Sequence, residues 1–338
     1  MTEFAAFATS AVASVAIIIA IFPLLVRYAL ARPNARSSHK TPTPQGGGIA
    51  IVAAVLGVTL TMILWLPIPD ASSSFAVLAS TSVALAAIGA YDDIAPLSAA
   101  PRLVMQVIVV AILLVTTGSG IRLMPPEVPL GLEWSLATLA GVWFVNLVNF
   151  MDGLDWVTVA EMVPVSGAIA LFGAAGIVDP LVAMVATTLC GALIGFAWFN
   201  KPVARLFLGD VGSLPIGLIV AWLLFMLAGA GHLAAAVLLP LYYCADATLT
   251  LVRRALRRER LWDAHRTHFY QRATDNGFSA LAVSAHLLAV NAILAVLAAA
   301  TVFWQSPQVS VAALLAGAVI VIWCMRRFTQ PNPERGVA

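Results

Sequence analysis

Acids, amides and histidines gather at the ends of long apolar runs in this chain. They fall in four places: Asp92-Asp93, the stretch Asn146–Trp156, the segment around Asp210, and His265–His268. Asn146, Asn149 and Asp152 recur every third residue, so on a continued helix they share a face. Gly153 is then expected to break that helix and turn the backbone. Polar groups at the end of a run long enough to cross most of a bilayer are expensive unless something uses them. Oxygen donors of this kind suit a hard divalent cation together with a phosphate.

Asp92-Asp93 points the same way. Adjacent carboxylates repel, which favours protonation of one unless a cation lies near. A helix-end Asp pair can simply be solvated, but its depth matches the other acids, which favours a metal site or a base beside one. Asp210 stands in Phe207-Leu-Gly-Asp-Val-Gly-Ser213, where glycines let the backbone approach an anion at a helix start. Its blander reading is an N-cap. In His265-Arg266-Thr-His268 the histidine spacing lacks the third soft ligand of a zinc site, and Arg with His suits a diphosphate better. The neighbouring arginines, 253–260, suit anionic lipid. Lys40, beside His39 and ahead of Gly46–Gly48, adds positive charge.

The elements that carry these residues follow from composition. The chain has 338 residues, 61% hydrophobic and 10% charged, with a mean hydropathy of +0.96. Soluble domains carry about 25% charged residues. The expected fold is an all-α polytopic membrane bundle forming a single domain over 1–338. Eleven spans are expected, near 4–28, 47–66, 75–91, 102–118, 134–150, 158–177, 180–200, 212–230, 233–252, 278–302 and 308–326. Cys190, Cys244 and Cys324 lie in or beside apolar runs without paired spacing and read as packing residues.

Threaded with the N-terminus outside and the C-terminus inside, these spans put all but Arg122 of the 18 Lys and Arg residues on the inner side. The first apolar run has its positive residues after it, which reads as a spanning helix rather than a cleaved leader. The unusual acids share the inner side with the cations, so one composite cytoplasmic site is expected. Glu161, inside a span, either pairs within the bundle or lines that site.

Together these motifs are specific. His-Lys-Thr-Pro-Thr-Pro with Gly-Gly, Asp92-Asp93, Asn-x-x-Asn-x-x-Asp-Gly-x-Asp, Asn200-x-Pro with Phe-x-Gly-Asp-x-Gly-Ser, and His-Arg-x-His follow in order. The chain resembles the polyprenyl-phosphate N-acetylhexosamine-1-phosphate transferases from about Ser38 to His268. That superfamily includes phospho-N-acetylmuramoyl-pentapeptide transferase and the enzyme that attaches N-acetylglucosamine-1-phosphate to undecaprenyl phosphate. The resemblance implies catalytic roles for Asp92, Asp93, Asp152 and His265, and Mg²⁺ (or Mn²⁺) on Asp210 with Asn149 and Asp152. It implies a uracil pocket of Gly153, Leu154, Asp155 and Phe207, donor contacts from Asn200, Lys40 and Asn146, and a cationic loop of His265, Arg266 and His268. A single His-Arg-Thr-His replaces the consecutive histidines of the pentapeptide enzymes, which favours the branch acting on simple amino sugars for O-antigen and other surface polymers. Arg102 stands in for the lysine usual after the Asp pair, and Trp156 for a small residue.

The implied reaction joins a UDP-amino sugar to undecaprenyl phosphate at the inner membrane of a bacterium and releases UMP. Membrane lipid is a partner, a homodimer is compatible with this reading, and no nucleic-acid partner is expected. The rival class is a secondary transporter for a nucleotide-sugar, which would place charges near mid-span on broken helices within an internal repeat. The acids here cluster at one membrane face, which favours the transferase.

Overall fold

Long apolar stretches separated by short polar links can satisfy their backbone in a bilayer only as helices, and helices are what form. The computed structural model describes residues 2–31, 42–66, 71–95, 97–118, 120–260 and 265–332. Its helices in order are α1 (Thr2–Tyr28), α2 (Gly48–Trp65), α3 (Ala71–Ile94), α4 (Ala99–Thr117), α5 (Leu130–Met151), α6 (Val157–Ala174), α7 (Pro180–Asn200) and α8 (Asp210–Gly229). They continue as α9 (Leu233–Leu238), α10 (Leu241–Leu256), α11 (Phe269–Asp275), α12 (Ala280–Trp304) and α13 (Pro307–Phe328). The two-residue strands β1 (Leu30–Ala31) and β2 (Thr43–Pro44) pair antiparallel below α1.

Among the described residues, ten helices are long and apolar enough to cross a membrane. The ninth expected span, 233–252, is not one helix. It breaks at Leu239 and Pro240 into α9 and α10, which in tandem lead the chain from the end of α8 beside Ile121 to the end of α5, where Tyr270 reaches the Phe150 carbonyl. Proline lacks an N–H and clashes with the preceding turn, and the second piece carries Asp246, Arg253 and Arg254.

The centre of the bundle is α7 and α8, apolar all round and the most enclosed helices. Helix α1 lies against α7 where Gly191 and Gly195 let the chain of Phe7 and Ala11 come close. Ser10 Oγ donates to the Thr188 carbonyl at 2.7 Å across the same seam. Glu161 is fully buried and pairs within the bundle, accepting from Asn291 Nδ2 at 2.5 Å and from the Tyr243 N–H at 3.4 Å. It does not line the acid site.

Candidate active site

The site forms where three helix ends meet. Gly48 at the start of α2 touches Gly212 in α8, and Gly89 in α3 touches the Asp210 backbone; a Cβ at any of the three would overlap its neighbour. The chain enters α8 through Gly209 at φ +76, a left-handed conformation that suits glycine. That approach brings the end of α3 to the first turn of α8. Asp93 Oδ1 and Oδ2 accept the backbone N–H groups of Asp210 and Val211 at 3.0 and 3.1 Å. Asp93 therefore caps α8, and Asp210 itself is the first helical residue rather than the cap.

Asp92 turns the other way. It accepts the Leu97 N–H at 2.6 Å and Arg102 Nη1 at 2.5 Å. The same guanidinium nitrogen lies 3.9 Å from Asp210 Oδ2, so Arg102 sits between the two carboxylates. Asp210 is the more accessible of the pair, with 30% of its side chain exposed against 7% for Asp92. Asn149, near the end of α5, donates to Asp210 Oδ1 at 2.7 Å and to Ser213 Oγ at 2.9 Å.

Helix α5 stops at Met151, one residue earlier than Gly153 suggests, and Asp152 is its C-cap. Gly153 has a different use: a Cβ there would strike the Tyr270 hydroxyl, which donates to the Phe150 carbonyl at 3.3 Å. Asp152 accepts from Thr158 Oγ1 at 2.5 Å. Burial pushes its carboxyl up to about 6, and the charges of Asp93 and Asp155 add to the rise, while the Thr158 hydrogen bond opposes it. Asn146 lies one turn deeper and donates to Gln106 Oε1 at 2.6 Å, inside the helix packing rather than among the acids.

Several expected substrate contacts hold the loops together. Asn200 is buried; its Oδ1 accepts the Trp156 N–H at 2.8 Å and its Nδ2 donates to the Leu206 carbonyl at 3.0 Å. Asp155, also buried, accepts the Ala204 N–H at 2.9 Å. Trp156 adopts a left-handed φ of 64, uncommon for a bulky residue, and its indole donates to the Ala197 carbonyl at 2.6 Å. Here the side chain larger than the family norm clamps the loop to α7. Leu154 is buried beneath the same loop. Phe207 contributes its backbone: its N–H donates to Pro44, and its carbonyl accepts from Gly46 and Gly47. Lys40 lies outside the described residues.

The His265–His268 segment is anchored by a residue that sequence reasoning passed over. Asp246 in α10 is fully buried and accepts from the Phe269 and Tyr270 N–H groups, the Tyr242 hydroxyl and Thr250 Oγ1 at 3.0–3.2 Å. His268 Nδ1 lies 3.1 Å from the same carboxylate, and its ring is 4.9 Å from that of His265. His268 is thus buried support, with 2% exposure, while His265 lies outside it. Arg266 pairs with Asp275 at 3.3 Å and Thr274 at 2.8 Å. The only hint in the sequence was a carboxylate in an otherwise apolar helical run.

A hard cation fits this donor set. Among the described residues no three His, Cys, Asp or Glu side chains stand close enough to hold a metal alone. Mg²⁺ is commonly held by one or two carboxylates plus substrate phosphates and water, and Asp210 beside Asn149 offers that.

Residues 75–228 match the family model described as glycosyl transferase family 4. Phospho-N-acetylmuramoyl-pentapeptide-transferase of Mycobacterium sp. (strain KMS) is 31% identical over 228 residues, covering 54% of this chain and 63% of the relative. The enzyme of that name from Paenarthrobacter aurescens is 29% identical over 274 residues, covering 62% and 74%. That of Mycolicibacterium vanbaalenii is 30% identical over 263 residues, covering 62% and 73%. The match to the Mycobacterium enzyme thus spans under two thirds of its length.

Proposed function

The chain belongs to glycosyl transferase family 4, and from that premise we propose that it transfers a sugar-1-phosphate, of the N-acetylhexosamine type, from a UDP-sugar to undecaprenyl phosphate. UMP is released, and the lipid-linked sugar starts a cell-surface glycan. The site works at the cytoplasmic face of a bacterial inner membrane.

The observation that carries this reading is the meeting of Asp92, Asp93 and Asp210 around Arg102 at one end of the bundle. Two anionic substrates must come together, one soluble and one dissolved in the bilayer, and their repulsion must be offset. Asp210 with Asn149 would hold Mg²⁺, or Mn²⁺ in its place, and the bound ion would stabilise the charge that develops on the phosphates. Arg102 supplies further positive charge, and His265 a ring nitrogen for a phosphate oxygen. An oxygen of the lipid phosphate attacks the phosphorus bearing the sugar, and the bond to the nucleoside monophosphate breaks. Asp152, raised to about 6, matches the second pKa of a phosphate monoester near 6 and is suited to keep the lipid phosphate deprotonated. Asp93 acts through the start of α8, which it holds in place.

The test is to incubate membranes containing the protein with undecaprenyl phosphate, Mg²⁺ and a panel of UDP-amino sugars, then to identify the lipid product by mass. One UDP-sugar should yield a lipid heavier by that sugar and one phosphate, with UMP in equal amount. Release of UDP with transfer of the sugar alone would overturn the reaction type.

A further inference from the structure

At the end of α10 a cleft of about 240 Å³ is lined by Thr250, Arg253, Arg254, Arg257, Thr267 and Arg272, with Glu259 as its one acid. Four guanidinium groups against one carboxylate leave it strongly positive. Two of the arginines are fixed. Arg254 is buried and donates to Glu259 Oε2 and the Arg260 carbonyl, each at 2.8 Å. The Arg253 guanidinium lies over the Phe269 ring, 4.6 Å from its centre. Arg257 and Arg272 are exposed and come from different elements, the end of α10 and α11.

The position matters as much as the charge. Leu249, Val252 and Leu256 stand three and four residues apart on α10 and are 43, 46 and 79% exposed. A helix with an exposed apolar stripe beside arginines lies at a membrane interface, stripe toward the acyl chains and cations at headgroup level. Guanidinium groups recognise phosphate oxygens by paired hydrogen bonds, and the interface supplies phosphates at high local concentration. We propose that this cleft binds the phosphodiester headgroup of an anionic phospholipid. The site is a cleft built by two elements, not the whole basic run 253–260, and it is independent of the transferase reading.

Native mass spectrometry of the delipidated full-length protein in detergent, titrated with phosphatidylglycerol or phosphatidylcholine, tests it. The wild-type chain should retain phosphatidylglycerol in preference to phosphatidylcholine. The double variant Arg257→Gln/Arg272→Gln removes only exposed side chains and should keep its melting temperature. Its retention of phosphatidylglycerol should weaken roughly 10- to 30-fold. Equal retention by the two proteins would overturn the proposal. A third arm adds inorganic phosphate at constant ionic strength: displacement of the lipid at micromolar phosphate would reassign the cleft to a soluble phosphate and overturn the lipid assignment.

Discussion

Asp93 and Asp210 meet through the backbone: a carboxylate oxygen of Asp93 accepts the Asp210 N–H at 3.0 Å while its partner oxygen takes that of Val211. The two aspartates therefore serve different ends, and substitution should separate them. Asp93→Ala removes a helix cap worth about 1 kcal/mol, up to about 2. It should lower the melting temperature and, by displacing Asp210 at the start of α8, reduce turnover about 100-fold. Asp92→Asn should cost a similar factor in turnover through Arg102, with a smaller thermal effect. Differential scanning fluorimetry beside the product assay checks both.

Asp210→Asn should abolish turnover with folding intact. The amide keeps one acceptor for Asn149 but loses the charge that draws a divalent cation. Donor binding followed by calorimetry with and without Mg²⁺ should lose most of its metal dependence. Near-normal turnover in a folded Asp210→Asn protein would remove Asp210 from the site.

Asp152 makes a pH prediction. Its carboxyl is raised from 3.8 to about 6, first by burial. The folded protein thus holds this proton more tightly than the unfolded chain. That contribution to stability is full below pH 3.8 and is lost as pH rises through about 6. Under the proposed mechanism activity runs the opposite way, because Asp152 could serve as base only when ionised. kcat/KM should fall as pH drops through about 6. Thr158→Val removes the opposing hydrogen bond and should move that limb upward, and Asp152→Asn should erase it.

Asp246 is predicted to position the His265–His268 segment. Asp246→Ala leaves buried N–H and hydroxyl groups unpaired, at about 1–3 kcal/mol each, and should destabilise the protein severely. Asp246→Asn is the informative variant. It keeps one acceptor oxygen but sets an NH2 against a backbone N–H on the other side, so the melting temperature should fall less than in Asp246→Ala, while donor KM rises through the lost carboxylate contact with His268. An unchanged KM in the folded variant would make Asp246 purely structural.

The two membrane faces are open to labelling. Arg122, the one cation placed outside by the sequence, is paired with Glu133 at 2.7 Å in the loop and helix start opposite the acids. Glu127→Cys and Arg258→Cys, both exposed positions, should react with an impermeant maleimide from opposite sides, Glu127→Cys from outside. Reaction of both from one side would overturn the orientation.

Composition and apolar run length made the membrane bundle legible, and motif order singled out Asp92, Asp93, Asn149, Asp152 and Asp210, which do gather at one end. Periodicity names a shared face but not what the face meets. Asn146 and Asn149 share a face of α5, yet one reaches Gln106 in α4 and the other Asp210 in α8. Asn200 is assigned to the donor by the resemblance alone; its partners in the fold, Trp156 and Leu206, lie in separate loops that no local pattern ties to it. The break at Pro240 was hidden because proline is tolerated inside α6 and α8 of the same chain. What decides is the company: α10 buries Asp246 and Arg254 among partners in the segments that follow it.

The glycine contacts among α2, α3 and α8 carry a last consequence. Where helices touch backbone to backbone, the gap between their ends is gauged by main-chain radii, and no rotamer can widen it. The carboxylates mounted there form a fixed die, which under the proposed function would be indifferent to which sugar is presented. The loops at Gly153–Trp156 and His265–His268 are joined to that die by side-chain hydrogen bonds and ring contacts, which substitution can redraw one at a time. In the proposed transfer, sugar preference could thus drift in the loops while the phosphate chemistry stays untouched.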